Sequence, residues 1–326
     1  MEINDRLLAA PDLEMAIDRK PLKISPDMNL QEAIALMSQA NGSRCALNSD
    51  NQQLKPSFVN YPSLSSYALV MEQDRLLGIV TERDIVRLTA SEIPFNQLKI
   101  SQVMTHPVIT LSQEKFRDIF AALFLFRRYK IRHLPLVAQN NHLIGVISPG
   151  TIRRAMHPAN LLKLRRVGEV MSRNVVHAGN KICLLNVARL MAERKVSCVI
   201  ITQEDQQENI LLPVGIITER DIMQFQSLQL NLNHVTAQEV MSTPLFLVSP
   251  EDSLLKANQE MELRRVRRLV VSWNWGQGLG IITQTSMLRI FDPMEMYSVI
   301  NTLQQTVQQL ETENQRLSHI IKEIQS

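Results

Sequence analysis

Apolar residues along the chain follow two alternating patterns: short runs typical of strands, and longer stretches with helical spacing. Four of the short runs share one form, a glycine followed by two apolar residues and then Thr or Ser. Their glycines are Gly78, Gly145, Gly215 and Gly280. Successive glycines are 67, 70 and 65 residues apart, which indicates an internal repeat. Each unit reads as strand, helix, strand, strand, helix over roughly 60 to 70 residues.

A second motif, Val-Met followed by Thr or Ser, precedes three of the four glycines. It occurs at 103–105, 170–172 and 240–242, and Ala-Ile-Asp stands at 16–18 in the first repeat. Farther along two repeats, Ser25 and Ser249 are each followed by Pro and an acidic residue. That pattern predicts a Ser N-cap, with Pro as the first helical residue.

The repeats fall into pairs. The pentad Thr-Glu-Arg-Asp-Ile occurs at 81–85 and 218–222, 137 residues apart, and Met104 and Met241 have the same offset. A unit of this size buries too little apolar surface to be comfortably stable alone. The chain is therefore predicted to contain a duplicated module, each copy built from two units.

The order of elements, the Val-Met motif and the signature Gly-apolar-apolar-Thr/Ser-x-x-Asp resemble CBS domains, which pair into Bateman modules. The resemblance covers about residues 8 to 292 and implies an α/β (α+β) fold of four β-α-β-β-α repeats. The expected repeats are 8–92 and 97–158 in module 1, and 163–230 and 234–292 in module 2. Repeat 1 departs from the pattern by about 20 extra residues between Asn41 and Ser66, which we expect to form a loop.

The Thr-x-x-Asp signature has two chemical interpretations. It is complete in the odd repeats, as Thr81 with Asp84 and Thr218 with Asp221. It can serve only as a helix capping box. Alternatively, the hydroxyl and the helix N-terminus bind phosphate while the carboxylate accepts both ribose hydroxyls, and the resemblance to CBS domains favours this use with adenine nucleotides. Thr151 and Ser286 replace the Asp in the even repeats, so we expect one complete site per module.

Cationic residues recur at the second strand of the even repeats, 135 residues apart. They are Arg132 and His133 in repeat 2, and Arg267 and Arg268 in repeat 4. These segments resemble the nucleotide-binding subunits of AMP-activated kinases, which implies that the basic residues reach ligand phosphates across the module cleft. The alternative is an exposed strand end whose cations pair with acids.

The tail at 293–326 is rich in Gln and Glu and carries a heptad pattern. Position a holds Ile300, Val307, Asn314 and Ile321, and position d holds Met296, Leu303, Leu310, Leu317 and Ile324. Such a pattern predicts a parallel two-stranded coiled coil, and hence a homodimer through 296–324. A helix packed on its own module is the alternative. The start of the tail resembles that of multidomain bacterial sensors, which implies a signalling output domain or partner downstream.

Composition narrows the functional classes. The formal net charge is only +3 over 326 residues, which does not call for a nucleic-acid partner. Cys45, Cys183 and Cys198 form no CxxC pair, and no apolar stretch approaches a membrane span, so we expect a cytoplasmic protein. Catalytic and metal-binding motifs are absent from the sequence, which favours a binding protein over an enzyme and predicts neither a catalytic cofactor nor a metal.

The leading hypothesis is a sensor that binds AMP, ADP or ATP in its modules and relays the bound state through the coiled coil. S-adenosylmethionine and cyclic dinucleotides offer the same adenosyl group. One alternative is a dimerisation and docking scaffold without a small ligand. A second is nucleic-acid binding through the basic run Arg264–Arg268.

Overall fold

The computed structural model describes residues 13–40, 66–156, 162–163, 165–205, 210–273 and 278–291. The expected coiled coil at 293–326 and nearly all of the expected loop between Asn41 and Ser66 lie outside the described residues.

Each repeat has the predicted order of strand, helix, strand, strand, helix. Repeat 1 contains β1 (Ile17–Asp18), β2 (Lys23–Ile24), α1 (Leu30–Ala40), β3 (Tyr67–Glu72), β4 (Arg75–Thr81) and α2 (Glu82–Ala90). Repeat 2 contains α3 (Ile100–Val103), β5 (Leu111–Ser112), α4 (Ile119–Tyr129), β6 (Leu134–Val137), β7 (Leu143–Ile147) and α5 (Pro149–Met156). Repeat 3 contains α6 (Val167–Val170), β8 (His177–Gly179), α7 (Leu184–Arg194), β9 (Cys198–Asp205), β10 (Ile210–Thr218) and α8 (Glu219–Ser227). Repeat 4 contains α9 (Ala237–Val240), β11 (Leu247–Val248), α10 (Leu254–Leu263), β12 (Arg268–Trp273), β13 (Gly278–Thr283) and α11 (Gln284–Met287).

The three strands of each repeat form one small sheet. The first two strands run parallel because a helix crosses between them, and the last two form an antiparallel hairpin. Strand β1 is the exception, since it joins the sheet of repeat 2, where Ile17 pairs with Ile147 of β7. The sheet of repeat 2 therefore has four strands.

The two repeats of a module exchange their leading segments. Thr105, which enters repeat 2, forms a bridge with Ile79 of repeat 1, and β1 of repeat 1 returns the exchange by pairing with β7. In module 2, Ser172 pairs with Ile281 and Ser242 pairs with Ile216. The exchange joins repeats 1 and 2, and repeats 3 and 4, as the 137-residue offset predicted.

The two sequence motifs meet in one contact. A Cβ built on Gly78 would lie 2.3 Å from Sδ of Met104, and one built on Gly215 would lie 2.2 Å from Sδ of Met241. The methionine in the leading segment of each even repeat therefore packs on the strand glycine of the odd repeat. Any side chain larger than hydrogen at these glycines would displace the methionine.

Apolar clusters hold the four repeats in a closed ring. Within the modules, the facing sheets pack through two small clusters, Tyr67, Leu69, Ile79 and Val146 in module 1 and Cys198, Ile200, Val270 and Ile281 in module 2. Between the modules, Met223 of repeat 3 lies in the core of repeat 1, and Val86 of repeat 1 lies in the core of repeat 3. Repeats 2 and 4 share a single core.

The predicted starts of two helices are wrong by several residues. Helices α1 and α10 begin at Leu30 and Leu254, rather than directly after Ser25 and Ser249. Ser253 is the N-cap of α10, and its Oγ accepts a hydrogen bond of 3.2 Å from the Lys256 amide. The Ser-Pro-acid sequences form separate turns instead, since each serine hydroxyl accepts a bond from the amide two residues later.

Replacing Gly78 by Ala tests the contact between the two motifs. We expect Gly78→Ala to lower the free energy of unfolding by roughly 1 to 3 kcal/mol, because the new Cβ collides with Met104. Met104→Ala removes the obstacle, so the double variant should lose less than the sum of the two single losses, as measured by urea unfolding. Gly179→Ala is the matched control, since a Cβ there meets no heavy atom within 4 Å. Additive losses would show that the collision does not occur.

Candidate functional site

The helix that follows each glycine strand begins with the same side-chain cap. In repeat 1, the amide and hydroxyl of Thr81 donate to Oδ2 of Asp84 over 2.9 and 2.7 Å. In repeat 3, the Thr218 amide donates to Oδ2 of Asp221 over 2.7 Å. In the even repeats a hydroxyl takes the place of the carboxylate, with bonds of 2.8 Å from Ser148 to Thr151 and from Thr283 to Ser286.

The capping interpretation is therefore correct for all four helices, but the cap does not require a carboxylate. Thr151 and Ser286 satisfy the same amide with a neutral oxygen. Asp84 is only 8% exposed, and burial raises the pKa of Asp221 against the hydrogen bonds from Thr218, which lower it. Asp221 is half-buried, and withdrawing both carboxylates from water has an energetic cost that the cap alone does not explain.

The cationic dipeptides lie where strands β6 and β12 begin, and their first residues cross to the opposite module. Nη2 of Arg132 donates to Oε2 of Glu219 over 2.6 Å. Nη2 of Arg267 donates to both carboxylate oxygens of Glu82, over 2.9 and 3.0 Å. These contacts join repeat 2 to repeat 3, and repeat 4 to repeat 1.

The second residues of the dipeptides remain within their own modules. Nε2 of His133 lies 2.8 Å from Oγ of Ser66, and its ring lies 4.5 Å from the Tyr67 ring, centroid to centroid. Arg268 donates to the carbonyl of Ser197. His133 and Arg268 therefore connect the even repeat of each module to its odd repeat.

A cluster of six charged side chains lies where the modules meet, and we call it the junction cluster. It contains Glu82, Glu219, Arg83, Arg132, Arg220 and Arg267. Nε of Arg220 donates to Glu82 over 3.1 Å, and Nε of Arg83 lies 3.4 Å from Oε1 of Glu219. Each glutamate thus receives one arginine from the facing odd repeat and one from the even repeat of the opposite module.

The sequence analysis missed four members of this cluster. Glu82, Arg83, Glu219 and Arg220 all belong to the repeated pentad, but only the flanking Thr and Asp were assigned a role. The signal was present in the sequence, because the Glu-Arg pair recurs at the same 137-residue offset as the rest of the pentad.

Both glutamates of the junction cluster are buried, and the arginines around Glu82 keep it ionised. Glu82 and Glu219 are 3% and 2% exposed. Burial alone would raise the pKa of Glu82, but the guanidinium groups of Arg267, Arg220 and Arg132 outweigh it and lower the pKa to about 2. The cluster therefore carries four guanidinium charges against two carboxylate charges.

The predicted phosphate residues differ in the charge that they can offer. Burial, with a smaller contribution from the nearby Arg132 and Arg267, lowers the pKa of His133 to about 3, so the imidazole is neutral near pH 7. Burial also lowers the pKa of Arg267, to about 10, which leaves that guanidinium charged. Arg132 and Arg267 thus offer positive charge at the junction, whereas His133 offers only a neutral ring nitrogen.

The basic run Arg264–Arg268 contacts several different partners. Arg264 donates to Glu260 over 2.7 Å and lies over the Phe246 ring at 4.3 Å. Arg267 and Arg268 point into the module interfaces described above. The arrangement differs from the continuous basic surface that a nucleic-acid backbone requires.

The described ranges contain neither a candidate metal centre nor a candidate membrane-spanning helix. There, no group of three or more His, Cys, Asp or Glu side chains could hold a metal ion. No helix in the same ranges is long and apolar enough to cross a membrane.

Comparisons with known proteins agree on one family. The family model of the CBS domain matches residues 13–91, 100–158, 167–227 and 237–292. An uncharacterised protein of Methanopyrus kandleri is 30% identical over 125 residues, which are 38% of this chain and 61% of that protein. An uncharacterised 33.4 kDa protein of Thermofilum pendens is 30% identical over 173 residues, 48% of this chain and 54% of that protein. The matches thus span less than two thirds of these curated relatives.

The fold has a solved counterpart. The crystal structure of protein MJ1225 from Methanocaldococcus jannaschii aligns over 86% of this chain and 100% of its own, with a TM-score of 0.68 and 20% identity. At that identity, the likeness establishes the four-repeat fold alone.

His133 provides a pH-dependent test of the module interface. Its folded pKa of about 3 lies below the unfolded value of 6.5, so its contribution to stability is fully present above pH 6.5. That contribution is lost as the pH falls from 6.5 towards 3, because over this range the His133 imidazole is protonated in the unfolded chain but stays neutral in the folded chain. His133→Gln should therefore flatten the acid side of the stability profile by up to about 1.4 kcal/mol per pH unit.

Urea unfolding between pH 7 and pH 5 measures this difference. The control is His177→Gln, because His177 is exposed. If the His133 and His177 variants keep the same pH slope, His133 does not stay neutral in the folded protein.

Proposed function

Because the chain belongs to the CBS domain family, we propose that it is a regulatory protein that binds adenine nucleotides in its two modules. One observation carries the proposal: Asp84 and Asp221 place one buried and one half-buried carboxylate at two helix N-termini where a hydroxyl suffices for the cap. A carboxylate accepts both hydroxyls of a ribose, and the helix N-terminus favours phosphate. One nucleotide per module follows, bound at the odd repeats.

The other site residues take roles that follow from their charges. Thr81 and Thr218 offer hydroxyl groups beside the aspartate carboxylates that we propose to bind the ribose. Arg132, Arg267 and Arg268 are the cations for the phosphate, and His133 contributes a neutral ring nitrogen. AMP, ADP and ATP share the groups that these residues recognise.

A relay completes the proposed function. Each repeat packs against two others in the ring, so a nucleotide that prefers one arrangement of the repeats shifts the arrangement of the whole ring. The predicted coiled coil at 296–324 would join two copies and carry that change to a downstream domain or protein. Only the heptad pattern at 296–324 supports this relay.

A scaffold without a small ligand is the second candidate function. It is favoured by the pairing of Arg132 with Glu219 and of Arg267 with Glu82, since both cations already have carboxylate partners. In a scaffold, these pairs would serve only to hold the modules together.

Thermal unfolding with adenine nucleotides separates the two candidates. A ligand that binds the native state stabilises it by RT ln(1 + [L]/Kd), which is about 2.7 kcal/mol at a hundredfold excess over Kd. We expect millimolar AMP, ADP or ATP to raise the unfolding temperature. Asp84→Thr and Asp221→Ser should each reduce the shift, and together abolish it, because they copy the neutral caps of repeats 2 and 4.

The matched control for these variants is Thr151→Ser, which changes an even-repeat cap without changing charge. It should leave the nucleotide shift intact. A shift that survives in the double variant would contradict the ribose assignment, and no shift in the parent protein would favour the scaffold.

The coiled coil has its own test. Leu303→Glu with Leu310→Glu places charges at two d positions, which should convert the dimer to a monomer in light scattering. Gln305→Glu with Gln308→Glu is the control, since it adds the same charges at f and b positions. Equal masses for both variants would contradict a dimer through this segment.

A further inference from the structure

We propose that Glu82 and Glu219 determine which nucleotide the protein prefers, by making the module junction selective for ligands with few phosphates. The inference rests on the proposed nucleotide sites and adds two residues that tune them. It concerns the charge of the ligand rather than its base or sugar.

The two glutamates already bind the arginines that we propose to bind phosphate. Arg267 is bound to both oxygens of Glu82, and Arg132 is bound to Glu219 over 2.6 Å. A phosphate that approaches either arginine therefore meets a guanidinium beside a buried carboxylate. Its net attraction to the site is the attraction to the guanidinium less the repulsion from the carboxylate.

A phosphate would share these arginines rather than displace the glutamates. Glu82 is 3% exposed, and a buried carboxylate without its arginines is strongly destabilising. A guanidinium has five N–H donors, and Arg267 uses the single nitrogen Nη2 for both bonds to Glu82. Nη2 of Arg220 is buried and has no hydrogen-bond partner among the described residues, so the cluster has a donor available for one more acceptor.

The junction cluster carries a net positive charge that is the same in both of its halves. The junction cluster has two equivalent halves, each with two arginines around one glutamate. One positive charge remains uncompensated in each half, and His133 adds none because its imidazole is neutral. A single phosphate monoester, with a charge of about −1.5 to −2 near pH 7, already neutralises that surplus. The additional phosphates of ADP and ATP bring charges that no further arginine of the cluster compensates. Arg268, the remaining cation proposed for phosphate, lies outside the cluster and already donates to the carbonyl of Ser197.

The glutamates of the cluster lie close in the chain to the aspartates that we propose to bind the ribose. Glu82 and Asp84 are the first and third residues of helix α2, about 3 Å apart along the helix axis. A nucleotide with its ribose at Asp84 and its phosphates directed at Arg220 or Arg267 meets Glu82, because both arginines bind that carboxylate. The same relation holds for Glu219 and Asp221 at the start of α8.

Isothermal titration with adenosine, AMP and ATP tests the inference. We expect the parent protein to bind AMP more tightly than ATP. Glu82→Gln and Glu219→Gln retain an oxygen that accepts from the arginine but lose the negative charge. In the double variant, the affinity for ATP should rise at least about tenfold relative to that for AMP, while the affinity for adenosine stays within about twofold.

Two controls make the result specific. Glu92→Gln makes the same change of charge at an exposed pair with Arg189, outside the junction cluster, and should leave all three affinities unchanged. Arg83→Gln removes one cation from the cluster. It should lower the affinity for ATP more than the affinity for adenosine, which is the opposite of the effect expected for the Glu→Gln variants. The Arg83 side chain is 51% exposed, so this variant provides a second reading if the glutamine variants do not fold.

Failure of the inference and failure of the proposed function give different results. If the parent binds adenosine and its nucleotides but the ratio of ATP to AMP affinity is the same in the parent, the glutamine variants and Arg83→Gln, the inference is overturned and the nucleotide sites stand. If the parent binds neither adenosine nor a nucleotide, both fall.

Discussion

The exchange of leading segments between paired repeats is the constraint on which the architecture depends. Each repeat completes its partner, and a methionine of the exchanged segment, or Ile17 in repeat 1, packs where the partner strand has a glycine. One repeat without its partner would expose that glycine strand and lose the pairing. The folding unit is therefore the module, and the small sheet of a repeat is only half of it.

The second constraint is electrostatic and arises from the duplication. Because both modules carry the Glu-Arg pair at the start of the same helix, placing the two odd repeats face to face brings each glutamate to the arginine of the other. The even repeats each add a further arginine. Buried ion pairs of this kind contribute little net stability but heavily penalise a wrong partner or register. They fix how the modules face each other, while the apolar clusters supply the stability.

Sequence patterns predicted the fold well and the junction poorly, for identifiable reasons. The pairing of repeats followed from the 137-residue offset, since duplication preserves spacing. The partner of Arg267, by contrast, lies 185 residues away in the other module, and no local pattern indicates which charges meet across an interface. The helix starts at Leu30 and Leu254 were misplaced because Ser-Pro-acid sequences suit a turn as well as an N-cap.

The tolerance of the helix caps has a consequence for how this architecture changes. Aspartate, threonine and serine all satisfy the amide at the start of these helices, so the residue at that position is free to vary without loss of the helix. A negative charge can be removed from, or restored to, each of the four positions by a single substitution. The charge at the start of each of these four helices can therefore change, by evolution or by design, independently of the fold that carries it.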